Sequence, residues 1–91
     1  MTLRYARHPN VRLTALEGEG VALHLDTRRY FTLNETGLTM LEALKEPRTL
    51  EELVSVLVEK FEVAPGVASS TAQAFLDHCV SAELIVATKA P

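Results

Sequence analysis

The chain holds a single cysteine, Cys79, so no intramolecular disulfide can form, and with no C-x-x-C spacing a reducing cytoplasm is the simplest setting. No stretch approaches the ~20 apolar residues of a membrane span, and the opening MTLRYARHPN lacks the apolar run of a signal peptide. The G-x-S-x-G, Walker and G-x-G-x-x-G motifs are also missing, which removes the commonest nucleophile and nucleotide sites. Residues 65–82 contain neither lysine nor arginine.

What remains is the composition of one small packed domain. Of the 91 residues 47% are hydrophobic and 23% charged, too apolar for a disordered tail. A chain of this size buries roughly 60 to 70% of its unfolded surface, which leaves little volume for a deep catalytic cavity and favours a binding module. A single domain over 1–91 is expected, with an ordered core of about 11–86. The net charge of −3 is unevenly spread. Residues 1–33 carry five arginines against three acids, and residues 34–91 four basic against nine acidic side chains. The acidic half is a poor match for phosphate.

The stretch from Asp26 to Leu44 organises the rest. A turn over Asp26–Arg29 leads into a short aromatic strand, Tyr30–Leu33, which meets Asn34 and becomes a helix with Leu38, Leu41 and Leu44 at helical spacing. Asn34 suits an N-cap, and Gly37 leaves room for close packing. Upstream, residues 1–10 show no periodicity and are expected to be an extended, partly ordered arm. Val11, Leu13 and Ala15 alternate with polar residues as a first strand, Glu17–Gly20 turns, and Val21, Leu23 and Leu25 mark a second strand. With Tyr30–Leu33 these predict an antiparallel three-stranded meander whose first and third strands are edges.

The second half reads as helical. Glu46-Pro47 ends the first helix. Thr49 and Glu52 form a capping box, and Leu50, Leu53, Val54, Leu57, Val58 and Phe61 follow at i, i+3, i+4, i+7, i+8 and i+11. Pro65 suits the first turn of a third helix running to about Ala82, with Ala68, Ala72, Phe75, Leu76, Cys79 and Val80 on its core side. Leu84–Val86 should return to the core, and Thr88–Pro91 should fray. The predicted core comprises Leu13, Leu23, Leu25, Phe31, Leu33, Leu41, Leu53, Leu57, Phe61 and Leu76. The fold class is α+β, three antiparallel strands then three helices, like a winged helix.

Candidate chemistry is sparse. Cys79 lies on the apolar side of a helix and reads as core. His8, His24 and His78 lie on different elements without ligand spacing, so no metal site or cofactor is expected. Glu51, Glu52 and Glu59 belong to a helix cap and a solvated helix face. A winged-helix DNA binder or repressor is the alternative function, but a recognition helix without a cation lacks both phosphate positioning and the usual arginine-to-guanine contact. The strand Tyr30–Leu33 is either an idle, short edge or a template for β-augmentation, in which an extended peptide pairs with the edge. Val67, Thr71, Ala74 and His78, at i, i+4, i+7 and i+11, form a stripe of mostly small residues that could leave a groove beside it.

From Val11 to Ile85 the chain resembles the PqqD-like family of RiPP recognition elements, which bind leader peptides of ribosomally made, modified peptides. The resemblance is carried by LEGEGVALHLDTRRYFTLNETGLTMLEAL (Leu16–Leu44) and RTLEELVSVL (Arg48–Leu57). It implies that a leader adds as a further strand beside Arg29–Leu33 and rests on Val67, Thr71, Ala74, Phe75 and His78. A chain of this length resembles both the PqqD peptide chaperone, which presents a precursor to a radical enzyme, and the stand-alone proteins of lasso-peptide clusters, whose implied partner is a cysteine-protease-like leader peptidase; Arg28 and Arg29 before the strand are similar to the lasso subgroup. Lasso leaders commonly carry a tyrosine and a nearby proline, for which Ala74 and Phe75 could line a hydrophobic slot. Neither an active site nor a nucleic-acid or membrane partner is implied.

Overall fold

The computed structural model describes residues 2–90. Five strands and three helices follow one another as β1 (Thr2–Arg7), β2 (Val11–Leu16), β3 (Glu19–His24), β4 (Arg29–Leu33), α1 (Glu35–Ala43), α2 (Leu50–Phe61), α3 (Pro65–Ser81) and β5 (Ile85–Ala90). Strands β2, β3 and β4 form an antiparallel sheet in that order. Between β2 and β3 the turn is only two residues, Glu17 (φ 46) and Gly18 (φ 84), both left-handed as a twisted hairpin requires. At the β3–β4 corner Arg28 takes φ 60, and its N–H donates to the His24 carbonyl at 2.8 Å.

Each helix starts where the sequence supplies an acceptor or a proline. The Asn34 side chain accepts from the Gly37 N–H at 2.9 Å, so β4 becomes α1 with no intervening loop. Thr49 accepts from the Glu52 N–H at 3.2 Å while the Glu52 carboxylate accepts from the Thr49 N–H at 2.8 Å, completing the capping box. That hydrogen bond from the Thr49 backbone holds the Glu52 carboxyl below its ordinary value. α3 begins at Pro65. It ends in paired 6→1 and 5→2 bonds, Leu84 N–H to Cys79 O at 2.9 Å and Glu83 N–H to Val80 O at 3.1 Å. This turn needs a left-handed residue, Glu83 at φ 61, and drives Leu84 into the core at 1% exposure.

Both chain ends differ from the expectation. The arm is strand β1 and the fraying tail is strand β5, paired antiparallel from Thr2↔Ala90 to Arg7↔Ile85 in a second sheet. Pro91 lies outside the described residues. Non-local pairing overrides the weak local signal here. Tyr5 exchanges backbone bonds with Arg48 at 2.8 and 2.9 Å, the Arg7 N–H donates to Leu44 O at 2.8 Å, and the Tyr5 side chain is buried.

The core is built from Leu41, Leu44, Leu53, Leu57, Leu76, Ala68, Ala72, Cys79 and Met40, with Leu13, Phe31, Leu33 and Phe61 half-buried against it. Two further assignments need correction. Leu23 and Leu25, expected inside, are exposed, and Gly20, Ala22 and His24 turn inward instead. The cause is the seat of α1: a Cβ on Gly20 would lie 2.7 Å from Leu38 Cδ1, so the helix can rest only on the small-residue face of β3. Leu13 and Phe31 flank Ala22 in register and fill the space on either side. Val80, placed on the core side of α3, is also exposed. Among the described residues no helix is long and apolar enough to cross a membrane.

Candidate functional site

β4 pairs with β3 on one side and with no other described strand on the other. The direction of its free backbone groups follows from the ladder. The Leu25 N–H donates to Asn10 O at 2.9 Å, toward β2. By alternation Leu23 and Val21 also face β2, while His24, Ala22 and Gly20 face β4. Their partners Phe31 and Leu33 therefore spend their backbone bonds on β3, while the Arg29 N–H donates to Thr27 Oγ1 at 3.3 Å. Tyr30 and Thr32 are left to present N–H and C=O at the open edge.

Beside that edge runs a groove of about 550 Å³ between β4, the start of α1 and α3. Its floor is apolar and fixed: Met40, Cys79 and Leu84 are buried, and Phe31 and Phe75 are half-buried. Gly37 helps shape it, because a Cβ there would meet the Phe75 ring at 3.2 Å. Thr36, Thr71, His78 and Asn34 supply polar groups along the rim. An extended peptide could satisfy the Tyr30 and Thr32 backbone while placing alternate side chains in this trough.

Of the residues singled out from the sequence, Tyr30, Phe31, Thr32, Leu33, Thr71, Phe75 and His78 line this one groove. Val67 lines a smaller cavity of about 110 Å³ that shares Thr36 and Thr71 with it. Ala74 is exposed but lines neither, whereas Thr71 lines both. Arg28 and Arg29 stand at the start of β4, with the Arg29 guanidinium 5.7 Å from the Phe31 ring centroid. Sequence reasoning missed Thr36, Gly37, Met40 and Leu84, because the α1 and post-α3 walls depend on how the helices cross.

Two groups with chemical potential are occupied structurally. Cys79 is fully buried, and burial pushes its thiol up to about 12, far from a reactive thiolate. His8 and His24, read as unrelated, meet with ring centroids 4.5 Å apart, and together with Asp26 their ligand atoms fall within 4.8 Å of one another. Both Nδ1 atoms already accept backbone hydrogens, His8 from Asn10 at 3.0 Å and His24 from Asp26 at 3.2 Å, while Asn10 Nδ2 donates to the Asp26 carboxylate. The cluster ties the end of β1 to the β3–β4 corner.

A three-stranded antiparallel sheet whose last strand is a free edge, followed by three helices of which the last walls a groove along that edge, is the architecture of the PqqD-like RiPP recognition elements. Residues 19–85 match the family model of coenzyme PQQ synthesis protein D (PqqD), and the chain belongs to that family. Among solved structures it is similar to TbiB1 in complex with the TbiA(beta) leader peptide, at 26% identity and a TM-score of 0.81 over 94% of this chain and 99% of that one. It shares its fold with a lasso peptide synthetase B1 complexed with the leader peptide, at 16% identity and a TM-score of 0.76 over 90% of this chain and 96% of that one. A search of curated proteins gives no match.

Proposed function

We propose that this chain is a non-catalytic recognition element that binds the leader of a ribosomally made precursor, of the lasso-peptide type, as a fourth strand beside β4. The observation that carries this reading is the conjunction of the open edge at Tyr30 and Thr32 with the apolar trough against Phe75 and Thr71. Backbone pairing alone gives little specificity, and ordering a flexible leader costs about 2 to 5 kcal/mol, so side chains in the trough must supply the surplus. The similarity to TbiB1, solved with a leader peptide, supports leader binding by this chain.

The chain performs no bond chemistry in this reading. Its role is delivery: holding the leader raises the effective concentration of the cleavage site at a leader peptidase or other modifying enzyme. Amide hydrogen exchange tests the site. Adding the cognate leader should slow exchange at Tyr30 and Thr32, the two outward amides, and should leave Val21 and Leu23 unchanged. Unaltered exchange at Tyr30 and Thr32 with a bound leader would refute pairing at this edge.

A further inference from the structure

The two ends of the β4 edge carry opposite charge, and a second groove lies at the acidic end. Arg28 and Arg29, both exposed, stand at the start of the strand, and the Arg29 guanidinium leans over Phe31 on the groove side. At the other end Leu33 pairs with Gly20, which brings Glu19 beside it. Glu35 follows at once, and its carboxylate hangs over the β2–β3 turn, 3.2 Å from where a Cβ on Gly18 would sit. The one ion pair among the described residues, Arg4 to Glu52 at 3.9 Å, lies elsewhere, so none of these four charges is neutralised by a neighbour.

Past the end of β4 a groove of about 350 Å³ is walled by Leu16, Val21 and Leu33 and closed by the single carboxylate of Glu19. Aliphatic walls leading to one acid match a lysine or arginine, whose methylene stem lies on apolar surface while its cationic head reaches outward. Both existing pairings in this sheet are antiparallel, and an added strand that continues the pattern runs from the Leu33 end toward the Arg29 end.

We propose, resting on the reading that a peptide pairs with β4, that this edge reads charge order. The Leu16/Val21/Glu19 groove takes a lysine or arginine on the N-terminal side of the paired segment, and Arg28 and Arg29 take an aspartate or glutamate on its C-terminal side. Leu33 and Arg29 are four positions apart, so the peptide's basic and acidic residues should be separated by about four to six positions, roughly 13 to 20 Å of strand. Charge order then fixes both the direction and the register of an otherwise generic backbone pairing.

The test is selection of binders from a random 16-residue peptide display library on the intact protein, followed by synthesis of the enriched peptides. The expected peptides slow amide exchange at Tyr30 and Thr32 and carry a basic residue four to six positions before an acidic one. Exchanging those two charges should weaken binding by about tenfold at low salt, with the difference shrinking at about 0.5 M salt. In the doubly altered protein Glu19→Lys, Arg29→Glu the preference should be lost, because Arg28 and Glu35 then leave each end without net charge. Peptides that protect Tyr30 and Thr32 but show no charge order, or keep the same preference in that protein, overturn this inference and leave edge pairing standing. Enriched peptides that bind without protecting those amides, or no enrichment at all, overturn the edge reading and this inference with it.

Discussion

Thr71→Arg separates recognition from folding more cleanly than any other single change. Thr71 is exposed on α3, six residues in from its first residue, and lines both the main groove and the smaller cavity beside it. Arginine is a better helix former than threonine by about 0.4 kcal/mol at such a site, and no buried atom is removed, so stability should be unchanged or slightly raised. In the groove the effect is opposite. A long cation above Phe75 occupies the space in which a leader side chain would be buried, and burying one large apolar side chain is worth about 1.5 to 3 kcal/mol. That corresponds to a loss of about 10- to 150-fold in leader affinity. Calorimetric titration with the cognate leader, beside a thermal melt of the same preparation, measures both quantities. A variant with unchanged melting that binds leader as the parent does would remove the groove from the recognition site.

Leu57 is 1% exposed in the α2–α3 interface, and Leu57→Ala should cost about 2 to 5 kcal/mol in urea unfolding; a loss under about 1 kcal/mol would mean the cavity collapses or the contact is unimportant. Cys79, with its thiol raised to about 12 by burial, should resist alkylation at neutral pH until the protein unfolds. Cys79→Ala should still bind leader and support processing by the partner enzyme, whereas lost processing with intact binding would assign the thiol a chemical role. The lowered Glu52 carboxyl should contribute stability that is present above its ordinary value of 4.5 and is lost as pH falls through its lower folded-state value. Replacing it by Glu52→Gln should flatten the acid limb of a stability-versus-pH curve, and an acid limb identical to the parent's would dissociate the capping box from acid sensitivity.

What could be read from the sequence was what local chemistry decides. The Asn34 cap, the Thr49–Glu52 box and the apolar spacing of α2 each lie within a few residues, and all appear where expected. The meander order followed from short connections. The misreadings share a different origin. Val21, Leu23 and Leu25 alternate as plainly as Gly20, Ala22 and His24, and hydrophobicity favoured the wrong set, because the inner face had to be small to admit Leu38. The pairing of β1 with β5, and the meeting of His8 with His24, join residues far apart in sequence that carry no local mark of each other. The groove was half legible for the same reason: β4 and the α3 stripe announce themselves by period, while Met40, Gly37 and Leu84 become walls only through helix crossing.

The β1–β5 ladder also sets how the molecule responds to force. Thr2 and Ala90 are partners at one end of the ladder, with Arg7 and Ile85 at the other. Tension applied through these two ends pulls across the strands, so the ladder opens one rung at a time from Thr2↔Ala90, and its bonds never share the load. Such a seam yields at low force and stops where Tyr5 and Arg7 are bonded to Arg48 and Leu44. Moderate pulling through the ends would therefore lengthen the tether by opening the outer rungs of this ladder while leaving the β2–β3–β4 sheet, and its free edge at β4, mechanically untouched.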